Sequence, residues 1–208
     1  MHKNRPLNLV YIFACFTLVG AALLLIAFSP RPFKRVARSP RGVATAHIKV
    51  LGRSNLFSWS MEDKSVSCSA RFTYAPGKTI PASLASFTFS MPVHELTSGK
   101  SGMDVKAYDA LKAKDGGTIA FTATASTITP GTGDAFQVKS DGNLTIAGVT
   151  KAIVLLAACE VKADGMVSCT GTDVLRMSDY KIRPPTYMLG AIRTGNRLTI
   201  AFSMEVIK

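Results

Sequence analysis

The sequence predicts an all-β domain in which about eight antiparallel strands form a closed barrel or a sandwich, accompanied by one short helix. Two observations carry this prediction. From about residue 44 onward, apolar and polar residues alternate in one segment after another, which is the pattern of strands with one buried face. Turn signals containing Gly or Asp-Gly separate these segments, as they do in antiparallel β proteins.

The individual strands follow from the alternation and from the turns. Strands with the clearest alternation are predicted near 87–93, 119–125 and 198–206, and further strands at 44–52, 65–74, 135–140, 142–148, 150–162 and 166–175. Turns are predicted at 75–78, 130–134, 141–143 and 163–165, where Gly, Pro, Asp and Asn cluster. The segment "GMDVKAYDALKA" is predicted to be a helix with a rough apolar stripe made by Met103, Val105, Tyr108 and Leu111.

An apolar run of 22 residues without charge, 7–28, precedes this domain. As a helix it would be about 33 Å long, enough to cross a bilayer. No small-x-small cleavage site follows it closely, so we expect an uncleaved signal anchor over residues 1–28. Secretion after signal cleavage remains the alternative. Residues 29–43 are basic and contain Pro, which is typical of an extended linker, and the barrel domain is expected to cover 44–208.

The formal net charge of +12 is unevenly distributed. Seven of the 25 basic residues lie in residues 1–41, which contain no acidic residue. A nucleic-acid-binding protein more often spreads its basic residues over the folded domain, among aromatic ones. Charge beside an apolar run is more typical of contact with anionic lipid headgroups, or of a flank that assists insertion. The sequence therefore predicts a membrane partner and no nucleic acid.

Two of the four cysteines are placed for pairing. Cys159 and Cys169 flank a predicted hairpin with its turn at Asp164-Gly165, so they face each other across the ladder. Opposed residues of this kind can form a disulfide, although two small buried apolar side chains fit the pattern equally well. No CxxC motif or Cys/His cluster is present, which argues against a zinc site.

A catalytic set is not evident in the sequence. There is no nucleophile motif, Walker-type loop, dinucleotide fingerprint or His/Asp pair with metal-ligand spacing. His94-Glu95 is the single pairing that an enzyme hypothesis could use. We therefore expect no catalytic residue, no metal and no enzymatic activity.

Four segments resemble the YceI-like family in the family's own order. They are "SNLFSWSM" (54–61), "MDVKAYDALKAKDGGTIAFTAT" (103–124), "SDGNLTIAGVTKAIVLL" (140–156) and "RPPTYML" (183–189) before the last strand. Two positions depart from the family pattern: Phe57 and Ser58 stand where many members have His-Asp before the tryptophan, and Gly117 replaces a proline.

The resemblance implies a lipocalin-like barrel, exported to the bacterial periplasm, whose apolar interior receives an isoprenoid lipid such as a quinone or a polyprenyl chain. With the anchor, this implies a single-pass inner-membrane protein with its barrel in the periplasm. The alternative is an envelope scaffold with a solid core and no ligand. The residues expected to line the lumen and its mouth are Trp59, Phe87, Phe89, Met91, Tyr108, Ile119, Phe121, Leu144, Ile146, Leu155, Tyr187, Met188, Ile200, Phe202 and Met204.

Overall fold

The computed structural model describes residues 42–115 and 117–206. They form an antiparallel barrel of eight strands with the closed order β1-β10-β7-β6-β5-β4-β3-β2, which confirms the predicted all-β barrel. The barrel strands are β1 (Gly42–Arg53), β2 (Ser58–Thr73), β3 (Ser83–Pro92), β4 (Thr118–Pro130), β5 (Ala135–Ile146), β6 (Val149–Val161), β7 (Val167–Arg176) and β10 (Arg197–Val206).

Three kinds of element lie outside the barrel wall. The helix α1 spans Ser101–Ala110, close to its predicted position. The strands β8 (Thr186–Tyr187) and β9 (Ile192–Arg193) pair with each other as a separate hairpin. Short 3-10 helices occur at Val93–Glu95, Ala113–Asp115 and Met177–Tyr180. No helix of the described segments is both long and apolar enough to span a bilayer. The predicted anchor at 1–28 lies outside the described residues.

The predicted turn at Asp141–Asn143 is wrong, because β5 runs without a break from Ala135 to Ile146 and turns only afterwards. Gly142 instead leaves room for a side chain of the neighbouring strand. A Cβ on Gly142 would lie 2.4 Å from Cζ of Phe121 and 2.5 Å from the Thr122 carbonyl oxygen. The glycine therefore allows an aromatic ring of β4 to lie directly against β5.

The expected apolar stripe of the helix is also partly wrong. Val105 is exposed, whereas Met103, Ala107 and Leu111 pack against the core. These three residues recur at the i, i+4 spacing that keeps side chains on one helix face. The small Ala107 lets α1 lie close to the end of the barrel.

The barrel wall is not equally continuous around its circumference. β1 and β2 pair from Gly42↔Ala70 to Arg53↔Ser58, whereas β6 and β7 pair over Ala158–Val161 and Val167–Thr170. The 3-10 helix Met177–Tyr180 contacts both β6 and β7, and Met177 and Tyr180 are buried there. This helix therefore covers the part of the wall where the two strands separate.

One end of the barrel is closed by tightly packed side chains. Phe72 and Phe136 meet edge to face with ring centroids 6.1 Å apart, and Val167 and Val206 pair beside them. Cys159 and Cys169 lie opposite each other in the ladder with Cα atoms 4.1 Å apart, and a disulfide joins them. We call this region the closed end, and the opposite end, beneath α1 and the β8–β9 hairpin, the mouth.

Candidate functional site

An apolar cavity of about 440 Å³ occupies the mouth. We call it the outer cavity. Its floor is made by side chains at the ends of barrel strands, including Val50, Ile119 and Leu198. Its cover is made by α1 and by the β8–β9 hairpin. Volumes of 300–1,000 Å³ are typical of small-molecule sites, so the outer cavity is large enough for a ligand.

A second, smaller cavity of about 100 Å³ lies deeper in the barrel. We call it the inner cavity. Its walls are the inward faces of the strands, with side chains such as Val66, Phe89 and Met204. Leu175 and Ile200 line both cavities. The two cavities are therefore adjacent at these side chains, and the inner one lies toward the closed end; we refer to them together as the lumen.

Trp59 forms part of the outer-cavity wall. It pairs with Gly52 across β1 and β2, and a Cβ on Gly52 would lie 2.0 Å from Cζ2 of the indole. Glycine at position 52 thus lets the ring lie against the wall and keeps the cavity open. The indole Nε1 is buried and has no hydrogen-bond partner in the described part of the chain. A buried N–H without an acceptor is costly, so an oxygen of a ligand would stabilise it.

Two lysines, Lys100 and Lys106, line the outer cavity, and its lining contains no acidic residue. The nearby acids of α1 have other partners. Oδ1 of Asp104 accepts hydrogen bonds from the backbone N–H and the hydroxyl of Ser98 at 2.8 and 2.6 Å, and Asp109 pairs with Lys114 at 3.7 Å. Between residues 42 and 115 and from 117 to 206, neither Lys100 nor Lys106 has an ion pair. The mouth is therefore positively charged.

The deep part of the lumen carries the opposite sign. Asp173 lies on β7 two residues beyond Gly171 and lines the inner cavity. Its Oδ1 accepts a hydrogen bond from the N–H of Val174 at 2.7 Å. Burial, and then the carboxylates of Asp173 and Asp179, raise the pKa of the neighbouring Tyr180 to about 12. With two lysines at the mouth and a carboxylate farther inside, the electrostatic potential in the lumen falls from the mouth inward.

Cys68 faces the inner cavity and is half-buried. Among the described segments it is the cysteine outside a disulfide, since Cys159 and Cys169 are bonded to each other. Burial raises the pKa of its thiol to about 11. At neutral pH the group is therefore a thiol and reacts slowly with electrophiles.

The structure distributes the fifteen residues expected to line the lumen among three environments. Those at the inner cavity are Phe87, Phe89, Leu144, Leu155, Phe202 and Met204; those at the outer cavity are Trp59, Ile119, Ile146 and Tyr187; Ile200 lines both. Met91, Tyr108, Phe121 and Met188 line neither cavity.

These four residues lie elsewhere for different reasons. Met91 and Phe121 are each 1% exposed and are packed within the hydrophobic core. The hydroxyl of Tyr108 donates a hydrogen bond to the His94 carbonyl oxygen at 3.0 Å, which ties α1 to the end of β3. Met188 lies exposed at the tip of the β8–β9 hairpin.

Several lumen residues were missed from the sequence. Ala46 and Ile48 line the inner cavity and Val50 lines the outer one, and their alternation along β1 is visible in the sequence. Asp173 was not expected, because a carboxylate contradicts the rule that inward residues are apolar. In the structure Asp173 shares the inward face of Cys169, four residues before it on the same strand, and both line the inner cavity. Lys100 and Lys106 depend on how α1 docks, which the sequence does not reveal.

No group of three or more His, Cys, Asp and Glu side chains that could hold a metal is found in the described segments. The ring of His94 stacks edge to face with Tyr108 at a centroid distance of 4.6 Å. This contact gives His94 a packing role beside α1.

The family model of the YceI-like domain matches residues 43–206, which is the whole barrel. The chain belongs to the YceI-like family. No curated protein sequence matches this chain, so the family match is the sequence-level comparison that assigns it. For this YceI-like protein, the match covers the barrel strands and both cavities.

Solved structures share the fold of this YceI-like barrel. BcnA of Burkholderia cenocepacia superposes with a TM-score of 0.62 at 15% identity, covering 78% of this chain and 96% of that one. A polyisoprenoid-binding domain from Saccharophagus degradans, implicated in plant cell wall breakdown, gives 0.59 at 8% identity, with coverages of 79% and 98%. The Campylobacter jejuni YCEI protein gives 0.51 at 20% identity, with coverages of 75% and 85%. At these identities the similarity shows the fold alone.

Proposed function

We propose that this protein binds an isoprenoid lipid, a quinone or a polyprenyl chain, inside its barrel, for storage, transport or protection under stress. The observation that carries the proposal is the pair of adjacent apolar cavities in the barrel. Membership of the YceI-like family supports it, as does the fold shared with a domain described as polyisoprenoid-binding. An envelope scaffold with a solid core, the alternative, fits a lumen of this size poorly.

The dimensions favour a chain that enters tail first. The inner cavity, at about 100 Å³, is smaller than the roughly 150 Å³ of an engineered cavity that holds benzene. It suits the methyl-branched end of a chain and no ring. The outer cavity suits the following isoprene units. Burial contributes about 0.8 kcal/mol per methylene, so each five-carbon unit adds a few kcal/mol before entropic costs, and affinity rises with the length buried.

The polar groups favour a headgroup at the mouth. Lys100 and Lys106 attract negative charge or oxygen dipoles, and the indole N–H of Trp59 needs an acceptor. Asp173 in the inner cavity repels an anionic headgroup. We therefore expect an oxygen-bearing isoprenoid to bind more tightly than a pure hydrocarbon of equal length, with its oxygens at the mouth. Trp59→Phe should reduce this preference.

Two adjacent alanines of β6 provide a matched test. Ala157 lines the inner cavity, whereas Ala158 is exposed on the outer wall. Ala157→Phe should fill the inner cavity and reduce the lipid that co-purifies with the full chain by roughly tenfold or more, which corresponds to about 1.4 kcal/mol. Ala158→Phe should leave it unchanged. The readout is native extraction followed by lipid mass spectrometry.

Two native side chains report occupancy at different depths. Trp59 is the one tryptophan of the sequence and lies at the outer cavity. Cys68 lies at the inner cavity. In a Cys15→Ser background, adding a prenyl quinone should change the Trp59 emission and slow the alkylation of Cys68 by a maleimide. A protein that carries no lipid, and in which neither reporter responds to any isoprenoid, would contradict the proposal.

The membrane anchor and the location form a separate part of the proposal. We propose that residues 1–28 anchor the chain in the bacterial inner membrane and that the barrel lies in the periplasm. The apolar run supports the anchor, and the disulfide between Cys159 and Cys169 suits an oxidising compartment. Alkaline phosphatase fused after Lys208 should be active. An inactive fusion, with activity of a cytoplasmic reporter instead, would reverse the assigned topology.

A lipid-modifying activity is the remaining alternative, with His94 as its candidate group. The stacking of His94 on Tyr108 gives the residue a structural purpose. We expect His94→Ala to leave the chemical identity of the co-purifying lipid unchanged. Accumulation of a different lipid in that variant would favour the enzyme.

A further inference from the structure

Five large apolar side chains are exposed around the mouth, and we call them the apolar rim. Leu56 and Phe57 lie in the loop between β1 and β2, and Tyr187, Met188 and Leu189 lie at the tip of the β8–β9 hairpin. Each is about half exposed or more, and Leu189 is fully exposed. Contiguous exposed apolar residues on a soluble domain mark interaction surfaces.

The two segments of the apolar rim are held together. The side-chain amide of Asn55 donates to the Ala191 carbonyl oxygen at 3.0 Å, and its Oδ1 accepts from the Arg193 N–H at 2.8 Å. Phe57 and Tyr187 of the rim also line the outer cavity. The rim is therefore continuous with the entrance of the lumen.

The exposed apolar residues at the hairpin tip have an unfavourable backbone conformation. Met188, Leu189 and Gly190 all have positive φ, at 50°, 54° and 90°. Left-handed backbone costs a residue other than glycine of order 1 kcal/mol or more and is concentrated at functional sites. Asn or Gly would relieve it. The sequence instead has Met and Leu, which are the residues that insert into an apolar environment.

The two chain segments that carry the apolar rim have basic residues and no acidic ones. The stretch 181–197 contains Lys181, Arg183, Arg193 and Arg197 and no acidic residue, and Arg53 precedes the other segment. All of these basic side chains are exposed. Lys100 and Lys106 lie at the adjoining cavity wall. Basic residues near an anionic bilayer contribute about 1 kcal/mol each.

We propose that the mouth of the barrel docks on the surface of a bilayer containing anionic phospholipids, with the apolar rim inserted among the headgroups. An apolar knob surrounded by basic residues is complementary to such a surface. Docking places the entrance of the lumen against the bilayer, where a long-chain lipid can pass without crossing water. This inference concerns the outer surface of the mouth and does not depend on which ligand fills the lumen.

The full chain in single-copy nanodiscs provides the test. In a Cys15→Ser, Cys68→Ser background, a nitroxide is attached at Leu189→Cys and, as the matched control, at Leu156→Cys. Leu156 is also a largely exposed leucine, but it lies on the outer wall of β6. In discs of phosphatidylcholine with phosphatidylglycerol, the label at 189 should become accessible to oxygen and shielded from a water-soluble relaxation agent. The label at 156 should remain in water.

The contributions of charge and of apolar contact to docking can be measured separately. Lys100→Glu with Lys106→Glu, or high salt, should weaken the shielding, whereas Lys139→Glu on the outer wall of β5 should not. Leu56→Asp should abolish it while the Trp59 response to prenyl quinone persists, which separates docking from lipid binding. Equal water exposure of both labels would overturn the proposal. Shielding confined to discs that carry two copies would assign the apolar rim to a second copy and overturn it as well.

Discussion

The two ends of the barrel differ in how well their side chains are buried and packed. At the closed end, Phe136 is 2% exposed and packs against Phe72, and a disulfide fastens the β6–β7 hairpin. At the mouth, apolar side chains are exposed, two residues hold left-handed backbone and a buried indole N–H has no acceptor. Exposed apolar side chains and left-handed backbone therefore gather where a ligand would enter, as expected if stability is supplied by the other end.

The largest decrease in the free energy of unfolding is expected for a substitution at the closed end. Phe136→Ala should reduce the free energy of unfolding by about 3–5 kcal/mol, because it removes a fully buried aromatic ring and leaves a cavity. Tyr187→Ala, the control at the mouth, should change it by about 0.5 kcal/mol or less. Denaturant-induced unfolding followed by circular dichroism measures both. Similar losses for the two variants would mean that the ends do not differ in this way.

Loss of the disulfide should cause the second-largest decrease in stability. Replacing Cys159 and Cys169 together by alanine should cost about 2–3 kcal/mol, because the bond closes a short loop in the unfolded chain. The change in Trp59 emission on lipid addition should persist, since the outer cavity lies at the other end. The prediction fails if the double variant keeps wild-type stability, or if the folded double variant no longer responds to lipid.

Alkaline pH should destabilise the mouth, with a smaller effect on stability than the two preceding changes. The pKa of Tyr180 is raised to about 12 in the folded protein, against about 10 for an unperturbed tyrosine. The buried neutral phenol stabilises the fold below pH 10, and this contribution is lost as pH rises from about 10 through 12. Hydrogen exchange should therefore rise first at residues 177–182 and later at 159–169. In Tyr180→Phe this early phase should be absent.

The smallest effect should be a gain in stability. Met188→Asn combined with Leu189→Gly should stabilise the folded protein by about 1 kcal/mol, because Asn and Gly accept left-handed backbone more readily. The same variant should lose the bilayer docking proposed for the apolar rim. A rise in melting temperature with docking retained would show that the strain serves another purpose.

The sequence predicted the strands well because alternation is a local property. It failed at Gly142, where a turn-like dipeptide lies in mid-strand to accommodate Phe121, a contact between residues far apart in the chain. It failed at Val105 for a similar reason, because the docked face of α1 is chosen by the barrel beneath it. Residues of the lumen could be named, but Asp173 and the two lysines could not, since their positions depend on how separate elements meet.

The short β6–β7 pairing bears on how much the barrel can hold. In the described residues, ladder pairing between β6 and β7 ends at Ala158 and Thr170, and the 3-10 helix Met177–Tyr180 contacts both strands. Moving that helix outward would widen the lumen while the ladders of the other strands stay intact. The β1–β2 wall has no such freedom, because its pairing runs the length of β1. We therefore expect the β6–β7 side of the barrel, rather than the β1–β2 side, to yield first if the lumen has to widen.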